Sequence, residues 1–200
     1  MLELEKKLWQ KGFKYIAGVD EAGRGALAGP IVAGAVIFPK KIIKLKKELR
    51  EIKDSKLLSP KKREELFKFI TKNCLSWAIS KISEKVIDRI GISKANQLVS
   101  KKVIKKLKKQ PDFILVDGRI NLDCLKIPYQ SIVKADKKIF SCSAASILAK
   151  VWRDNLMKRI DKKYPFYGFK RHKGYGTKYH YQQLNCYGPS PCHRRSFRLK

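Results

Sequence analysis

The sequence predicts an α/β domain with a mixed central β-sheet flanked by helices. Apolar, strand-like runs alternate with helical patterns along the chain, and a short Gly-rich loop joins the first two runs. Hydrophobic residues make up 44% of the 200 residues, enough to bury a core. We expect one domain over residues 1–200, in which residues 165–200 form a basic C-terminal segment of loop and helix.

The N-terminal elements follow from composition and spacing. Residues 2–11 have the pattern of a short helix, and 15–20 and 31–38 are apolar enough for buried strands. Residues 21–30 are too rich in Gly and Pro for a regular element and predict a loop. Because this loop is short, the two strands are predicted to be antiparallel neighbours.

Capping and alternation predict the next two elements. Ser59 followed by Pro60 indicates the N-cap and first turn of a helix over 61–70. Residues 75–83 alternate apolar and polar side chains, which is typical of a half-buried strand.

Three further elements and a short β segment complete the predicted layers. Helical spacing over 94–109 ends at Pro111, and 112–116 is a core strand. A short β segment within 125–133 precedes a long helix over 140–164, whose small residues predict close packing on the sheet.

The net charge points to a polyanionic partner. Lys and Arg number 47 against 17 Asp and Glu, which gives +30. This balance argues against an enzyme of neutral metabolites and favours nucleic acid, because cationic side chains release the counterions condensed on phosphates. A general compositional preference for Lys is the alternative.

Cysteine usage and the N-terminus predict a cytoplasmic protein without a membrane anchor. The cysteines number five and form no C-x-x-C pair, and the first residues are charged throughout. The longest apolar stretch, 31–38, is too short to cross a bilayer. The expected state is a monomer.

Several of the few acidic residues in this basic chain lie at or just after the ends of predicted strands. Asp20 and Glu21 close the first strand, Asp117 ends a later one, and Asp136 follows a further β segment. Carboxylates that converge beyond strand ends repel one another unless a cation joins them. Oxygen ligands select Mg²⁺ or Mn²⁺, which on a phosphate-binding surface indicates phosphodiester hydrolysis. Turn-forming Asp residues have the same spacing, so on spacing alone both interpretations stay open.

The loop after the acidic pair suits contact with a sugar–phosphate chain. Gly23 and Gly25 allow close approach of the backbone, and Arg24 between them offers a forked donor to phosphate. The loop matches neither a dinucleotide-binding G-x-G-x-x-G motif nor a P-loop.

Six segments, in order along nearly the whole chain, resemble the bacterial ribonuclease HII family, the type 2 ribonucleases H. They are GVDEAGRGALAGPIVAGAVI (18–37), DSKLLSPKKREEL (54–66), VDGRINL (116–122), ASILAKVWRD (145–154), HKGYGT (172–177) and GPSPCHRRSF (188–197). The Gly-Arg-Gly sequence after the acidic pair is similar to type HII rather than type HIII.

The resemblance implies a ribonuclease H-like fold with a helical C-terminal portion. It also implies a divalent-metal-dependent endonuclease that cleaves the RNA strand of RNA–DNA hybrids. The same family cuts on the 5′ side of single ribonucleotides in duplex DNA, leaving 3′-hydroxyl and 5′-phosphate ends, as ribonucleotide excision repair requires.

By this resemblance, four carboxylates bind the metal and are catalytic: Asp20, Glu21, Asp117 and Asp136. Asp136 follows Ala135 where the family has glycine, and Asp154 is its rival for the fourth position. For Asp154 we favour an ion pair with Arg153 or a nearby lysine on an exposed helix face.

Substrate contacts are implied in the same way. Backbone groups of Gly23, Arg24 and Gly25 would probe the 2′-hydroxyl, and Tyr175 would stack on the sugar beside the ribonucleotide. Packing is the alternative role for Tyr175.

The sequence gives less specific indications of the roles of other polar residues. Six cationic residues are predicted to contact the duplex backbone, at positions 170, 171, 173, 194, 195 and 198. Lys56 either lies near phosphates or is solvated. The His and Cys spacings match no usual zinc module, and Ser141, Ser143 and Ser146 suit helix packing rather than nucleophilic catalysis.

Two other functions remain open at this point. A basic nucleic-acid-binding module without catalysis would explain the charge but not the acids at strand ends. A ribonuclease H-like nuclease specific for DNA junctions would share the fold and differ in substrate.

Overall fold

A computed structural model describes residues 2–44, 51–52 and 58–199. The described α-helices are α1 (Glu3–Gln10), α2 (Pro60–Asn73), α3 (Glu84–Ile90), α4 (Ile92–Lys105), α5 (Ala135–Lys138), α6 (Phe140–Lys163), α7 (Phe169–His172) and α8 (Lys178–Tyr187). The strands are β1 (Ile16–Ala22), β2 (Ile31–Ile37), β3 (Ser76–Ile82), β4 (Phe113–Asp117) and β5 (Tyr129–Ile132). Short 3₁₀ turns span Lys40–Lys44, Asp123–Leu125 and Pro165–Tyr167.

The strands form the predicted mixed sheet, in the order β3-β2-β1-β4-β5. The β1–β2 and β2–β3 pairs are antiparallel, which confirms the predicted hairpin, whereas β4 runs parallel to both β1 and β5. Because β1 and β4 are parallel neighbours, their carboxyl ends meet at one edge of the sheet.

Helices cover both faces of the sheet. Ile16 of β1 packs in a core with α1, α2 and α6, whereas Ala17 and Val19 pack in a second core with α4. This alternation follows from the two-residue period of a strand, and it directs successive side chains of β1 to different helices.

Helix α6 packs closely on the sheet where glycines face it. A Cβ atom on Gly18 would lie 2.2 Å from the backbone of Ser141, and one on Gly34 would lie 2.5 Å from the carbonyl oxygen of Ala145. The small residues in the first half of α6 permit this approach, as the sequence predicts.

The predicted N-cap of α2 is confirmed. The Ser59 hydroxyl accepts a hydrogen bond from the Lys62 amide at 3.2 Å, and Pro60 occupies the first turn. Lys56 lies outside the described residues, so its predicted alternatives stay untested.

Two helical predictions need correction. Helix α3 was not expected; it is a short helix that Gly91, at φ +78°, separates from α4. Helix α4 ends at Lys105 rather than 109, although Leu107 beyond it is still buried. Among the described residues, no helix is long and apolar enough to span a membrane.

Candidate active site

The adjacent acids at the end of β1 are bound by helices on opposite faces of the sheet. Asp20 is hydrogen-bonded by Ser146 of α6, and Glu21 by Asn96 of α4. The strand period produces this split, since neighbouring side chains alternate between faces. Both carboxylates are therefore oriented by helices that pack on the sheet core.

Asp117 and Asp136 come to the same edge from β4 and the helix after β5. The parallel register pairs Val19 with Val116, so the next residue of each strand is an aspartate, Asp20 beside Asp117. An Asp117 oxygen accepts a hydrogen bond of 2.6 Å from the Ala135 amide, which fixes the start of α5 against β4. Asp136 follows directly and is buried.

All eight predicted site residues line one cavity of about 380 Å³, which we call the acidic cavity. Its lining consists of Asp20, Glu21, Ala22, Gly23, Arg24, Gly25, Asp117, Asp136, Ser146, Lys150 and Tyr175. Four acids thus share one solvent-accessible space with two cations and a tyrosine.

Burial and mutual repulsion dominate the electrostatics of the acidic cavity. Burial raises the pKa of Asp20 well above its usual value, and the charges of Glu21 and Asp117 raise it further. The pKa of Glu21 is raised to about 7, mainly by burial and then by Asp117, while Arg24 and Asn96 oppose the shift. A cation between these groups would relieve their repulsion.

The chemistry of this donor set fits a hard divalent cation, since four carboxylates supply only oxygen ligands. Across residues 2–44, 51–52 and 58–199, no three His, Cys, Asp or Glu side chains already stand in a ready-made ligand group. The carboxylates therefore share the cavity without forming a closed coordination set.

Two buried arginines hold the Gly-rich loop over 23–30. Arg153 donates to the carbonyls of Pro30, Lys173 and Ala28 at 2.8–3.1 Å. Arg194 donates to the loop carbonyls of Gly29, Arg24 and Gly23, at 2.9, 2.9 and 2.7 Å.

The prediction that Arg194 contacts the duplex is wrong. The residue is 0% exposed, and its guanidinium donates to carbonyls of the Gly-rich loop instead of reaching solvent. The other five predicted phosphate contacts are not fully buried: Lys170, Arg171, Arg195 and Arg198 are exposed, and Lys173 is half-buried.

A series of buried side chains supports the loop that carries Tyr175. The Ser190 amide donates to His193 Nδ1, so His193 Nε2–H donates to His180 Nε2 at 3.0 Å. His180 Nδ1–H then donates to the Tyr175 carbonyl at 2.9 Å. Burial lowers the pKa of His180 and of His193 to about 4, so both rings are neutral at physiological pH.

Tyr175 itself is half-buried and faces the acidic cavity. The cationic groups of Arg153 and Lys150 lie 5.4 and 5.7 Å from its ring centre. The ring thus has both packing contacts and an accessible side, and its role toward substrate stays a prediction.

The chain matches the family model of ribonuclease HII over residues 17–200. It is 47% identical over 195 residues to ribonuclease HII of Caldicellulosiruptor bescii, which covers 98% of this chain and 92% of the relative. It is 50% identical over 196 residues to ribonuclease HII of Acholeplasma laidlawii, with 98% and 93% covered. The chain belongs to the ribonuclease HII family.

Solved structures support the ribonuclease HII assignment. Ribonuclease H2 from Pyrococcus horikoshii is 29% identical with a TM-score of 0.77, and the match covers 92% of this chain and 94% of that one. RNase HII in the PCNA:RNase HII complex from Archaeoglobus fulgidus is 28% identical with a TM-score of 0.79, covering 93% and 96%. Bst-RNase HIII in complex with Mn²⁺, at 19% identity and a TM-score of 0.72, shares the fold.

Membership in the ribonuclease HII family makes this chain a ribonuclease H, a metal-dependent phosphodiester hydrolase, with the expected α/β fold. Three polar residues of the site were not predicted for it: Ser146, Lys150 and Asn96. The sequence predicts only a packing role for Ser146, yet its side chain hydrogen-bonds Asp20. The four-residue spacing of Ser146, Lys150 and Asp154 on one face of α6 was the available signal.

Asp154 is separated from the acidic cavity. It forms an ion pair with Lys150 at 2.7 Å, which confirms the predicted lysine partner, and lies 3.8 Å from Arg63. The expectation that Asp154 is exposed is wrong, because the residue is buried against these cations. Arg153, the other predicted partner, bonds backbone carbonyls instead.

Proposed function

We propose that this ribonuclease HII cleaves the RNA strand of RNA–DNA hybrids and cuts 5′ to single ribonucleotides in duplex DNA. The products would carry 3′-hydroxyl and 5′-phosphate ends. The observation that carries the proposal is the convergence of four carboxylates beside the Gly-Arg-Gly loop in one cavity. Excision of ribonucleotides from DNA is the process such cleavage would serve.

The carboxylates that would hold Mg²⁺ or Mn²⁺ are Asp20, Glu21, Asp117 and Asp136. Such an ion, when bound, supplies an activated water and stabilises the leaving oxygen. Ser146 and Asn96 orient Asp20 and Glu21 from opposite faces of the sheet. Asp136 is favoured over Asp154 as the fourth carboxylate, because Asp136 lines the acidic cavity with the other three and Asp154 does not.

The Gly-rich loop is the segment that we propose recognises the ribose of the substrate. Gly25 is exposed, and apart from its chain neighbours no atom of the described residues lies within 4 Å of where its Cβ would be, so the backbone there is open to a nucleotide. The guanidinium groups of Arg153 and Arg194 fix the carbonyls of this loop. Backbone groups of Gly23, Arg24 and Gly25 would probe the 2′-hydroxyl, with Tyr175 against the neighbouring sugar.

The chain is further proposed to act in the cytoplasm as a monomer and as one catalytic domain over residues 1–200. Its basic C-terminal segment, 165–200, completes the cavity, since Arg194 bonds the Gly-rich loop. Sedimentation at increasing protein concentration measures the oligomeric state, and a concentration-dependent dimer would contradict this part.

The activity is tested on a labelled duplex that contains one ribonucleotide, with and without EDTA. We expect one EDTA-sensitive cut on its 5′ side and no cut in an all-DNA duplex of the same sequence. Binding without cleavage would favour the non-catalytic module, and cleavage of DNA junctions alone would favour the junction nuclease.

Asp117→Asn is expected to reduce cleavage by more than about a hundredfold while the protein stays folded. The amide keeps the size of the side chain but removes a charged ligand from the acidic cavity. Single-turnover rates and circular dichroism of both proteins provide the measurement. Cleavage at the wild-type rate with Mg²⁺ or Mn²⁺ would refute the assignment of this site.

A further inference from the structure

A second cavity of about 250 Å³ lies beside the acidic cavity, between the start of α2 and the middle of α6. We call it the basic cavity. Its lining contains five cations, which are Arg63, Lys150, Lys158, Arg171 and Lys173, and two acids, Glu64 and Asp154. Lys150 lines both cavities, so the two spaces adjoin at this side chain.

The two acids of the basic cavity are used within the protein. Asp154 pairs with Lys150 at 2.7 Å and lies 3.8 Å from Arg63, and Glu64 lies 3.7 Å from Lys158. These contacts hold three of the five cations, Lys150, Arg63 and Lys158, at the wall of the cavity. With five cations and two acids, the cavity keeps a surplus of three positive charges.

Crowding of the cations supports an anionic ligand. Burial lowers the pKa of Lys173, and repulsion from Lys150 and Lys158 acts in the same direction, against the attraction of Asp154 and Asp161. An anion in the basic cavity would offset this repulsion. Lysine and arginine are the side chains that bind phosphate oxygens with charge-assisted hydrogen bonds.

The position of the basic cavity indicates which anion it takes. Phosphates of one strand follow one another at about 3.4 Å along the duplex axis. A strand whose scissile phosphate lies in the acidic cavity and that runs toward Lys150 would bring its next phosphates to the basic cavity.

We propose that the basic cavity is a phosphate subsite for the cleaved strand, one or two nucleotides from the bond that is cut. The inference rests on the proposed function and adds a defined contact to it. Lys158 and Arg171 supply exposed donors, and Asp154 positions Lys150 between the two cavities. The subsite reads no base, because its donors meet only the backbone.

The test combines a protein change with a substrate change. Lys158→Gln with Arg171→Gln removes two exposed charges from the basic cavity. The matched control is Lys102→Gln with Lys105→Gln, which removes two exposed charges from α4 on the opposite face of the sheet. Single-ribonucleotide duplexes carry one uncharged methylphosphonate at successive positions of the cleaved strand.

For the wild type, we expect one or two methylphosphonate positions near the cut to raise KM by about tenfold, as loss of a charged hydrogen bond does. In the Lys158/Arg171 variant, KM with the unmodified duplex rises by a similar factor. A methylphosphonate at those positions then causes no further increase in KM. The slope of log KM against log salt falls by about one for each lost contact. The control variant keeps the wild-type position profile.

An equal penalty at every position, or the same profile in the Lys158/Arg171 variant, would overturn the subsite. Competition by inorganic phosphate that distinguishes wild type from variant, without any position effect, would assign the cavity to free phosphate instead. Failure of the proposed function can be told apart from failure of the subsite, because in that case the wild type would not cut the unmodified duplex at all.

Discussion

At the scale of single residues, Glu21 stores unfavourable electrostatic energy in the folded protein. Its pKa is raised to about 7 from an ordinary value of 4.5. Between these pH values the folded protein holds a proton that the unfolded chain has released. The free energy of unfolding therefore falls as pH rises through this interval, and the destabilisation is complete above pH 7.

Glu21→Gln is expected to increase the free energy of unfolding by about 1–3 kcal/mol at pH 8 without metal. One pKa unit corresponds to about 1.4 kcal/mol, and the partial exposure of the side chain reduces the gain. Below pH 4 the gain disappears, because the carboxyl is then neutral in both states. Urea unfolding with EDTA at several pH values measures this, and a pH-independent difference would contradict the assignment.

Arg194 is a second residue whose effect follows from its contacts. Arg194→Ala removes the guanidinium donor from the carbonyls of Gly23, Arg24 and Gly29, although Gly23 keeps a 3.3 Å bond from the Ala26 amide. We expect the free energy of unfolding to fall by at least about 2 kcal/mol, since one unpaired buried group costs about 1–3 kcal/mol. Urea unfolding measures the loss.

The matched control for Arg194 is its neighbour. Arg195 is exposed, so Arg195→Ala is expected to change the free energy of unfolding by less than about 0.5 kcal/mol. Equal effects of the two substitutions would show that Arg194 does not support the loop.

At the scale of elements, the contact between α6 and β2 depends on glycine. Gly34→Ala would place a Cβ 2.5 Å from the Ala145 carbonyl oxygen and 3.1 Å from the Ala149 amide. Because backbone atoms cannot move aside easily, we expect a loss of about 1–3 kcal/mol in the free energy of unfolding.

Gly25→Ala, in the Gly-rich loop, is the control, because apart from its chain neighbours no atom in the described part of the chain lies within 4 Å of its Cβ position. Its stability should be unchanged or increased by up to about 1 kcal/mol. Thermal unfolding of both variants provides the comparison. A Gly34→Ala protein as stable as wild type would mean that α6 is free to move away from the sheet.

Most elements could be predicted because their signals are local. The Ser59 cap, the alternation in β3 and the apolar runs of β1 and β2 each lie within a few residues. Helix α3 was missed because seven residues give little periodicity, and Gly91 divides it from α4.

Only the site residues that have a local sequence signal could be predicted. Asp20 and Asp117 follow apolar strands, so their convergence could be expected from a parallel pair. The contacts of Lys150 and Arg194 depend on how α6 and the C-terminal segment pack against the Gly-rich loop. That packing brings together residues distant in sequence, and no local pattern distinguishes a buried arginine from one that binds phosphate.

At the scale of the whole molecule, a net charge of +30 surrounds a cavity lined by four acids. The surface attracts the duplex over a long range, and the acids act only where the strand is cut. Binding and cleavage should therefore respond differently to salt.

We expect the Asp117→Asn protein to bind a single-ribonucleotide duplex at least about a hundredfold more weakly at 200 mM than at 50 mM salt. Phosphate contacts dominate the affinity, so a duplex of scrambled sequence should bind equally well. Fluorescence anisotropy measures both. An affinity that is insensitive to salt, or that depends on sequence, would contradict binding through the backbone.

The close packing of α6 against Gly18 and Gly34 has a consequence for thermal unfolding of the protein. Site carboxylates lie at the ends of β1 and β4. Helix α6 hydrogen-bonds Asp20 through Ser146 and packs in the same hydrophobic core as β1. Unfolding of either layer on heating would therefore also displace these carboxylates. We therefore expect thermal inactivation and loss of tertiary structure to coincide in a single transition.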